Sequence, residues 1–179
     1  MKEILIKDKL FKVLISGRKI SRRIDEIAAM INRDFEGREV IFIGILNGAF
    51  MFAADLFKRI NLKARISFVK LSSYHGTSSS GSIRELIGLN EDLENKNIII
   101  LEDIIDSGET LEWIVNDLSG KKAAEIRVAA LLLKPEAYSG RIPVDYVGFK
   151  IPRDFVIGYG LDYDGFGRNL PSVYSLVVK

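Results

Sequence analysis

The chain alternates between short apolar runs and amphipathic stretches. Three runs rich in Ile, Leu and Val are typical of strands buried on both faces of a sheet, at residues 40–46, 97–103 and 125–133. Apolar residues recur at helical spacing in a segment that Ser16 could cap and that reaches about Phe35. Further helices are predicted at residues 49–60, opened by Gly48, and at residues 109–118. This alternation predicts a parallel sheet with helices on both faces.

Weaker patterns complete the prediction. Residues 64–71 alternate like a strand, residues 83–89 form a returning strand, and short strands are expected at 144–149, 155–159 and 173–178. Residues 72–82 read SSYHGTSSSGS, a stretch without apolar pattern that predicts a mobile loop. The only histidine, His75, lies in this loop and receives no role. Since no repeat or linker is visible, residues 1–179 are expected to form one domain.

Composition narrows the class of protein. The 179 residues are 47% hydrophobic and 28% charged, which is ordinary for a globular domain. The absence of cysteine excludes disulfides and cysteine-based zinc sites. Neither a signal-peptide core nor a run of membrane-span length is present, so a cytoplasmic protein without a membrane partner is expected. The 26 basic and 24 acidic residues form no like-charged block, which argues against a nucleic-acid partner.

The most informative segment is residues 98–111, IIILEDIIDSGETL. A buried strand leads into the acid pair Glu102 and Asp103, and the polar residues 106–110 then lead into a helix. A Gly-containing turn before a helix exposes backbone N–H groups at the positive end of the helix dipole, which suits a phosphate. The acids could hold a diol or Mg²⁺ although, being adjacent on a strand, they point to opposite faces. The alternative is a capped helix start with solvated carboxylates, with Asp106 as the N-cap.

Residues 101–111, LEDIIDSGETL, resemble the phosphoribosyl pyrophosphate (PRPP) signature of type I phosphoribosyltransferases. Further segments are similar to the hypoxanthine-guanine (6-oxopurine) members, namely 44–56 (GILNGAFMFAADL), 71–74 (LSSY), 144–163 and 168–171 (RNLP). The resemblance implies an α/β fold with a mainly parallel central sheet flanked by helices, a small hood from the N- and C-terminal segments, and a mobile lid. It also implies Mg²⁺-dependent transfer of phosphoribose from PRPP to hypoxanthine or guanine in purine salvage, by a homodimer or homotetramer.

The resemblance also implies roles for single residues. The 5′-phosphate would be cradled by Asp106, Ser107, Gly108, Glu109 and Thr110. Glu102 and Asp103 would contact the ribose hydroxyls, partly through Mg²⁺. Asp106 would act as the general base for the purine proton, a role that the chemistry requires because the incoming base must shed a proton.

The remaining roles concern the purine, the pyrophosphate and the lid. Lys134 would donate to the 6-oxo group, although the residue type alone favours a surface lysine. Phe155 would stack on the purine, and Val156 would read the base edge through its backbone. Asp162, at the purine-recognising end, would bind a second Mg²⁺. Pyrophosphate would be contacted by Asn47, Gly48 and Arg168, and Ser73 and Tyr74 would belong to the lid that excludes water.

Three departures from the family pattern qualify these roles. Asn47 stands where lysine is frequent, which predicts weaker binding of pyrophosphate or PRPP. Leu133 stands where bacterial members often have aspartate, and if that aspartate positions the lysine, its loss weakens the predicted purine selectivity. The sequence as a whole does not rank hypoxanthine, guanine and xanthine. Residues 164–167, DGFG, predict a more mobile segment before Arg168.

Two alternative functions compete with this interpretation. A regulatory protein of the same fold would sense PRPP and bind nucleic acid, but it would need a basic face or an added module. A phosphoribosyltransferase for another base would share residues 101–111 but differ at Lys134 and at residues 155–156.

Overall fold

A computed structural model describes residues 3–74, 82–89 and 91–177. Six strands form one sheet in the order β5-β4-β3-β6-β7-β8, and all neighbours run parallel except β5, which is antiparallel to β4. These strands are β3 (Glu39–Leu46), β4 (Lys63–Tyr74), β5 (Ser82–Ile87), β6 (Asn97–Ile105), β7 (Glu125–Leu133) and β8 (Tyr146–Lys150). The helices are α1 (Gly17–Asp34), α2 (Phe50–Phe57) and α3 (Glu109–Gly120). The predicted α/β fold is confirmed.

The alternating strand residues divide the core into two layers. On one face Val40 and Phe42 of β3 pack with the buried side of α1, whose Ser16 accepts a hydrogen bond from the backbone N–H of Lys19 as its N-cap. On the other face Ile41 and Ile43 pack with α3. Both faces of the sheet are therefore covered, as the uninterrupted apolar strands predict.

A second, antiparallel sheet forms the hood. Its strands are β1 (Glu3–Ile6), β2 (Lys9–Ile15), β9 (Val156–Ile157) and β10 (Val173–Leu176), in the order β1-β2-β10-β9. Phe11, Ile157 and Tyr174 are the buried centre of its small core. The β1–β2 hairpin was not predicted, because charged residues interrupt its apolar ones and neither strand is a continuous apolar run.

Several predicted element boundaries differ from the observed ones. Residues 72–74 continue β4 and Ser82 begins β5, so the prediction of a loop is wrong for these four residues. Residues 75–81, with His75, lie outside the described residues. The 155–159 strand is only Val156–Ile157, because Gly158 turns the chain with a φ of +94°. The second helix begins one residue late, at Phe50, and ends three residues early, at Phe57.

The parallel register brings three strand ends together. Ile105 of β6 pairs with Leu133 of β7, and Gly44 of β3 pairs with Leu101 of β6. The segments that follow β3, β6 and β7 therefore emerge at one edge of the sheet, where α/β proteins bind ligands. No helix within the described ranges is both long and apolar enough to span a bilayer.

Candidate active site

The turn between β6 and α3 forms a small pocket at this edge. Its volume is about 100 Å³, and it is lined by Glu102 and residues 104–111. Gly108 is the N-cap of α3 and gives no side-chain cap to the helix. Apart from a long contact of 3.5 Å from the Glu109 N–H to Ser107 Oγ, the first-turn N–H groups of α3 are free to bind an anion, beside the positive end of the helix dipole. The interpretation of Asp106 as N-cap is wrong.

Gly108 cannot be replaced without moving its surroundings. Its φ is +89°, in the left-handed region that favours glycine. A Cβ atom there would lie 2.4 Å from Cε2 of Tyr138. The turn therefore bends tightly over an aromatic ring, and this shape fixes the direction of its backbone amides.

Asp106 instead pairs with Lys134. The Nζ atom of Lys134 lies 2.7 Å from Oδ2 of Asp106, and the two side chains are 11% and 55% exposed. The pairing follows from the sheet, because the backbone N–H of Lys134 donates to the carbonyl of Ile105 at 2.9 Å, one residue before Asp106. Lys134 is thus a buried lysine with its charge aimed at the turn, and the surface lysine that its residue type alone favours is wrong.

The acid pair behind the turn, Glu102 and Asp103, lies in an environment that disfavours the ionised form of both carboxyl groups. Glu102 is 7% exposed, and its Oε2 atom has no hydrogen-bond partner among the described residues. Burial, followed by repulsion from Asp103, raises the pKa of Glu102 well above its usual value. Burial likewise raises the pKa of Asp103 to about 6, although a hydrogen bond from the N–H of Ile104 at 2.9 Å and the charge of Arg168 oppose it.

These carboxylates point to different sides, as predicted. Glu102 lines the pocket of the turn, whereas Asp103 faces Gly48, where a Cβ atom would lie 1.5 Å from Asp103 Oδ2. Gly160, with a φ of +102°, packs closely against Gly48. A Cβ atom on Gly160 would lie 2.0 Å from the Gly48 carbonyl oxygen. Asn47, preceded by a cis peptide bond, is exposed beside this contact. Gly160 was not singled out from the sequence, although Gly158 and Gly160 around Tyr159 signal a tight turn.

Arg168 and Asp162 meet on the hood side of the site. Nη2 of Arg168 lies 2.6 Å from Oδ1 of Asp162, and Nη1 donates to the carbonyl of Gly160 at 2.6 Å. The other oxygen of Asp162 accepts from the N–H of Gly165 at 2.6 Å. Because Asp162 and Arg168 both influence the pKa of Asp103, this pair belongs to the same electrostatic site as the strand-end acids.

Phe155 and Val156 also lie on the hood. The Phe155 ring is 43% exposed, with its centroid 6.2 Å from that of Phe11 and 5.9 Å from that of Tyr163 in an edge contact. Val156 is buried in β9. Phe155 is therefore an accessible aromatic surface supported by other rings, and it is not a core residue.

The lid residues are only partly described. The backbones of Ser73 and Tyr74 pair with Ile83 and Ser82 in the β4–β5 ladder, and their side chains lie outside the described residues.

A larger cavity of about 540 Å³ lies at the opposite edge of the sheet, where β3 and β4 begin. Two of its basic residues already have acidic partners, Arg38 with Glu125 at 2.6 Å and Lys63 with Glu39 at 3.4 Å. The small pocket is the better candidate despite its size, because it lies at the carboxyl ends of the strands and holds the buried Oε2 atom of Glu102, which is unpartnered within the described ranges.

Comparison with known proteins agrees with this geometry. The phosphoribosyl transferase domain model matches residues 14–164. A hypoxanthine-guanine phosphoribosyltransferase of Staphylococcus epidermidis is 43% identical over 168 residues, which cover 93% of this chain and 94% of that protein.

Two solved structures extend the similarity to the fold. The hypoxanthine-guanine phosphoribosyltransferase of Bacillus anthracis gives a TM-score of 0.86 at 38% identity, covering 93% of this chain and 98% of that one. A hypoxanthine phosphoribosyltransferase of Staphylococcus aureus gives 0.88 at 40% identity, covering 93% and 91%. This chain therefore belongs to the phosphoribosyl transferase domain family, and within it to the hypoxanthine-guanine phosphoribosyltransferases.

Proposed function

We propose that this protein transfers the 5-phosphoribosyl group of PRPP to N9 of hypoxanthine or guanine and releases pyrophosphate. The bond from ribose C1 to the pyrophosphate oxygen breaks, the bond from C1 to N9 forms, and the base loses a proton. The observation that carries the proposal is the contact between Asp106 and Lys134, because it places a proton acceptor beside a cationic donor at the phosphate turn.

The turn from Asp106 to Thr110 holds the 5′-phosphate in this proposal. The uncapped N–H groups of α3 and the hydroxyls of Ser107 and Thr110 supply donors without a cluster of cationic side chains. The left-handed Gly108 sets the curvature of the turn. Glu109, the first residue of α3, contributes through its backbone, since its side chain is exposed.

Glu102 and Asp103 suit a ribose diol and Mg²⁺. The free Oε2 atom of Glu102 is a buried acceptor that a hydroxyl or a cation would satisfy. Mg²⁺ is usually held by one or two carboxylates together with substrate oxygens and water, and the two strand-end carboxylates could supply that part of its shell. Bound Mg²⁺ would neutralise charge on PRPP, and Asp162 would serve a second ion near the pyrophosphate.

Asp106 and Lys134 would act on the base. Asp106 is exposed enough to reach the incoming purine and would accept its proton as positive charge develops on C1. The Lys134 ammonium has three donors, so it can hold Asp106 and still donate to a 6-oxo group. An ammonium offers nothing to the 6-amino group of adenine, which gives selectivity against that base.

The hood would supply the other side of the purine site. Phe155 would stack on the base, and the backbone of Val156 would read its edge. Asn47, Gly48 and Arg168 would contact pyrophosphate, while Ser73 and Tyr74 would belong to the lid that closes over PRPP.

The proposed assembly is a homodimer or homotetramer in the cytoplasm. Light scattering on the purified protein tests the assembly, and a single monomeric species would contradict it.

A PRPP-dependent assay with hypoxanthine, guanine, xanthine and adenine in parallel tests the proposal. Nucleotide and pyrophosphate should form in equal amounts with hypoxanthine or guanine and should require Mg²⁺. Reaction with adenine alone would show that the role of Lys134 is wrong. PRPP binding without reaction on any base would favour a regulatory protein instead.

A further inference from the structure

Tyr138 lies directly beneath the phosphate turn, in the connection between β7 and β8. A Cβ atom on Gly108 would lie 2.4 Å from Cε2 and 2.8 Å from Cδ2 of its ring, so the ring packs against the Gly108 Cα without space between them. Both the hydroxyl and the backbone hold the ring in place. The hydroxyl donates to the carbonyl of Ile142 and accepts from the Ile142 N–H at 3.1 Å.

The same residue is tied to Lys134. The backbone N–H groups of Ala137 and Tyr138 both donate to the Lys134 carbonyl at 3.0 Å, which closes a turn immediately after that lysine. The segment is also attached to α3, because Arg141 and Ser139 contact the carboxylate of Glu112 at 2.9 and 3.3 Å. Glu112 in turn donates its backbone N–H to the Gly108 carbonyl at 2.9 Å.

We infer that Tyr138 is a positioning residue, which fixes the phosphate turn and the base-selecting lysine relative to each other. Its ring limits how far Gly108 can move, and its backbone limits how far Lys134 can move. The inference rests on the proposed function, since it concerns the two substrate-binding elements assigned there. Tyr138 contacts no reacting atom in this scheme and acts only through Gly108 and Lys134.

The ring of Tyr138 should be essential for PRPP binding, and its hydroxyl should matter much less. Without the ring, Gly108 can leave its left-handed conformation, and the amides that converge on the phosphate diverge. With phenylalanine the same ring atoms still face Gly108, and only the two hydrogen bonds to Ile142 are lost. Apparent PRPP affinity should therefore separate the two substitutions. Loss of fold stability alone would lower the fraction of active protein and with it the apparent kcat, and would leave both KM values unchanged.

Steady-state kinetics of Tyr138→Ala and Tyr138→Phe test the inference, with Glu136→Ala as a control at an exposed side chain of the same segment. We expect Tyr138→Ala to raise the KM for PRPP roughly tenfold or more, with a smaller rise for the base and a smaller change in kcat, as misplaced phosphate donors predict. Tyr138→Phe and Glu136→Ala should stay within about threefold of the unsubstituted protein, the scale of an exposed contact.

Binding and stability measurements keep the result interpretable. Calorimetric titration with PRPP and Mg²⁺ should reproduce the loss for Tyr138→Ala in the absence of base. If that variant does not fold by circular dichroism, Tyr138→Leu replaces it and should show the same rise in the KM for PRPP.

Two outcomes would overturn the inference while the unsubstituted protein remains active. One is an unchanged KM for PRPP in the variant without the ring, and the other is a defect of equal size in Tyr138→Phe. An inactive unsubstituted protein would instead overturn the proposed function itself, so the two failures are distinguishable.

Discussion

The carboxyl edge of the large sheet and the hood are built in different ways. At the edge, the residues proposed to hold the ribose and 5′-phosphate of PRPP lie within nine consecutive positions, Glu102–Thr110, at the end of β6 and in the turn that follows it. In the hood, contacts join opposite ends of the chain, such as Lys7 with Asp164 at 2.8 Å and Tyr163 with Asp8 at 2.9 Å. The edge therefore depends on local sequence, whereas the hood exists only once the whole chain has folded.

The two regions also differ in electrostatics. The edge encloses Glu102 and Asp103, whose raised pKa values show that their ionised forms are unfavourable in the folded protein. The hood has an ion pair at its surface, Lys7 with Asp164, whose side chains are 42% and 60% exposed. This contrast indicates that the two acids at the edge lower the free energy of unfolding and are kept for ligand binding. The hood contributes the exposed aromatic ring of Phe155.

Asp106→Asn tests the edge most severely. Turnover should fall roughly 10²-fold or more, the size of a lost general base. PRPP affinity should change only modestly, because the backbone donors of the turn remain. Single-turnover kinetics and calorimetry measure the two quantities, and Asp117→Asn is the control, since Asp117 also pairs with a lysine at 2.7 Å. Unchanged turnover in the Asp106 variant would rule out its role as the base.

Asp103→Asn tests the proposed stability penalty. The folded protein binds this proton more tightly than the unfolded chain, with a pKa of about 6 against 3.8. The penalty is therefore negligible below pH 4, grows between about pH 4 and pH 6, and is complete above that range. At pH 8 the variant should be more stable by up to about 3 kcal/mol, since one pKa unit corresponds to about 1.4 kcal/mol.

Urea unfolding of the Mg²⁺-free protein at pH 4 and pH 8 measures this difference. The gain should be small at pH 4, and the variant should lose transferase activity at every pH. A gain that is equal at both pH values would show that the Asp103 carboxyl is not the source.

Lys134→Met tests whether Lys134, which follows β7 at the edge, selects the 6-oxopurine base. Loss of one charged hydrogen bond should lower kcat/KM for the 6-oxopurines about 10- to 100-fold. PRPP affinity should be nearly unchanged, and the control Lys150→Met removes an exposed lysine at the end of the neighbouring strand β8. An equal loss in both variants would contradict the specific role of Lys134.

Phe155→Leu tests the hood and should have the smallest effect. The KM for the base should rise about three- to tenfold, the scale of one aromatic contact, with no change for PRPP. Phe166→Leu removes another exposed hood ring and is the control. A rise in the KM for PRPP would show that the hood and the edge are not separate in function.

The sequence predicted the edge better than the hood for physical reasons. Strands β3, β6 and β7 bury both faces, so apolar runs mark them, and Glu125–Leu133 was predicted with its observed bounds. Asp106 and Glu102 follow from their position after a strand, but the Lys134 ion pair does not, because it joins residues 28 positions apart. Tyr138 and Gly160 were not predicted as site residues. Tyr138 matters through its contact with Gly108, and Gly160 through its contact with Gly48, and the sequence shows neither contact.

Backbone NMR of ¹⁵N-labelled protein, titrated with PRPP and Mg²⁺, tests the central claim most directly. The claim is that the turn after β6 grips a sugar phosphate through its own amides. The largest shifts should belong to the N–H signals of Ser107, Gly108, Glu109 and Thr110, with smaller changes in β1 and β2. If PRPP binds and other signals shift while these four N–H signals do not, the result would contradict the account.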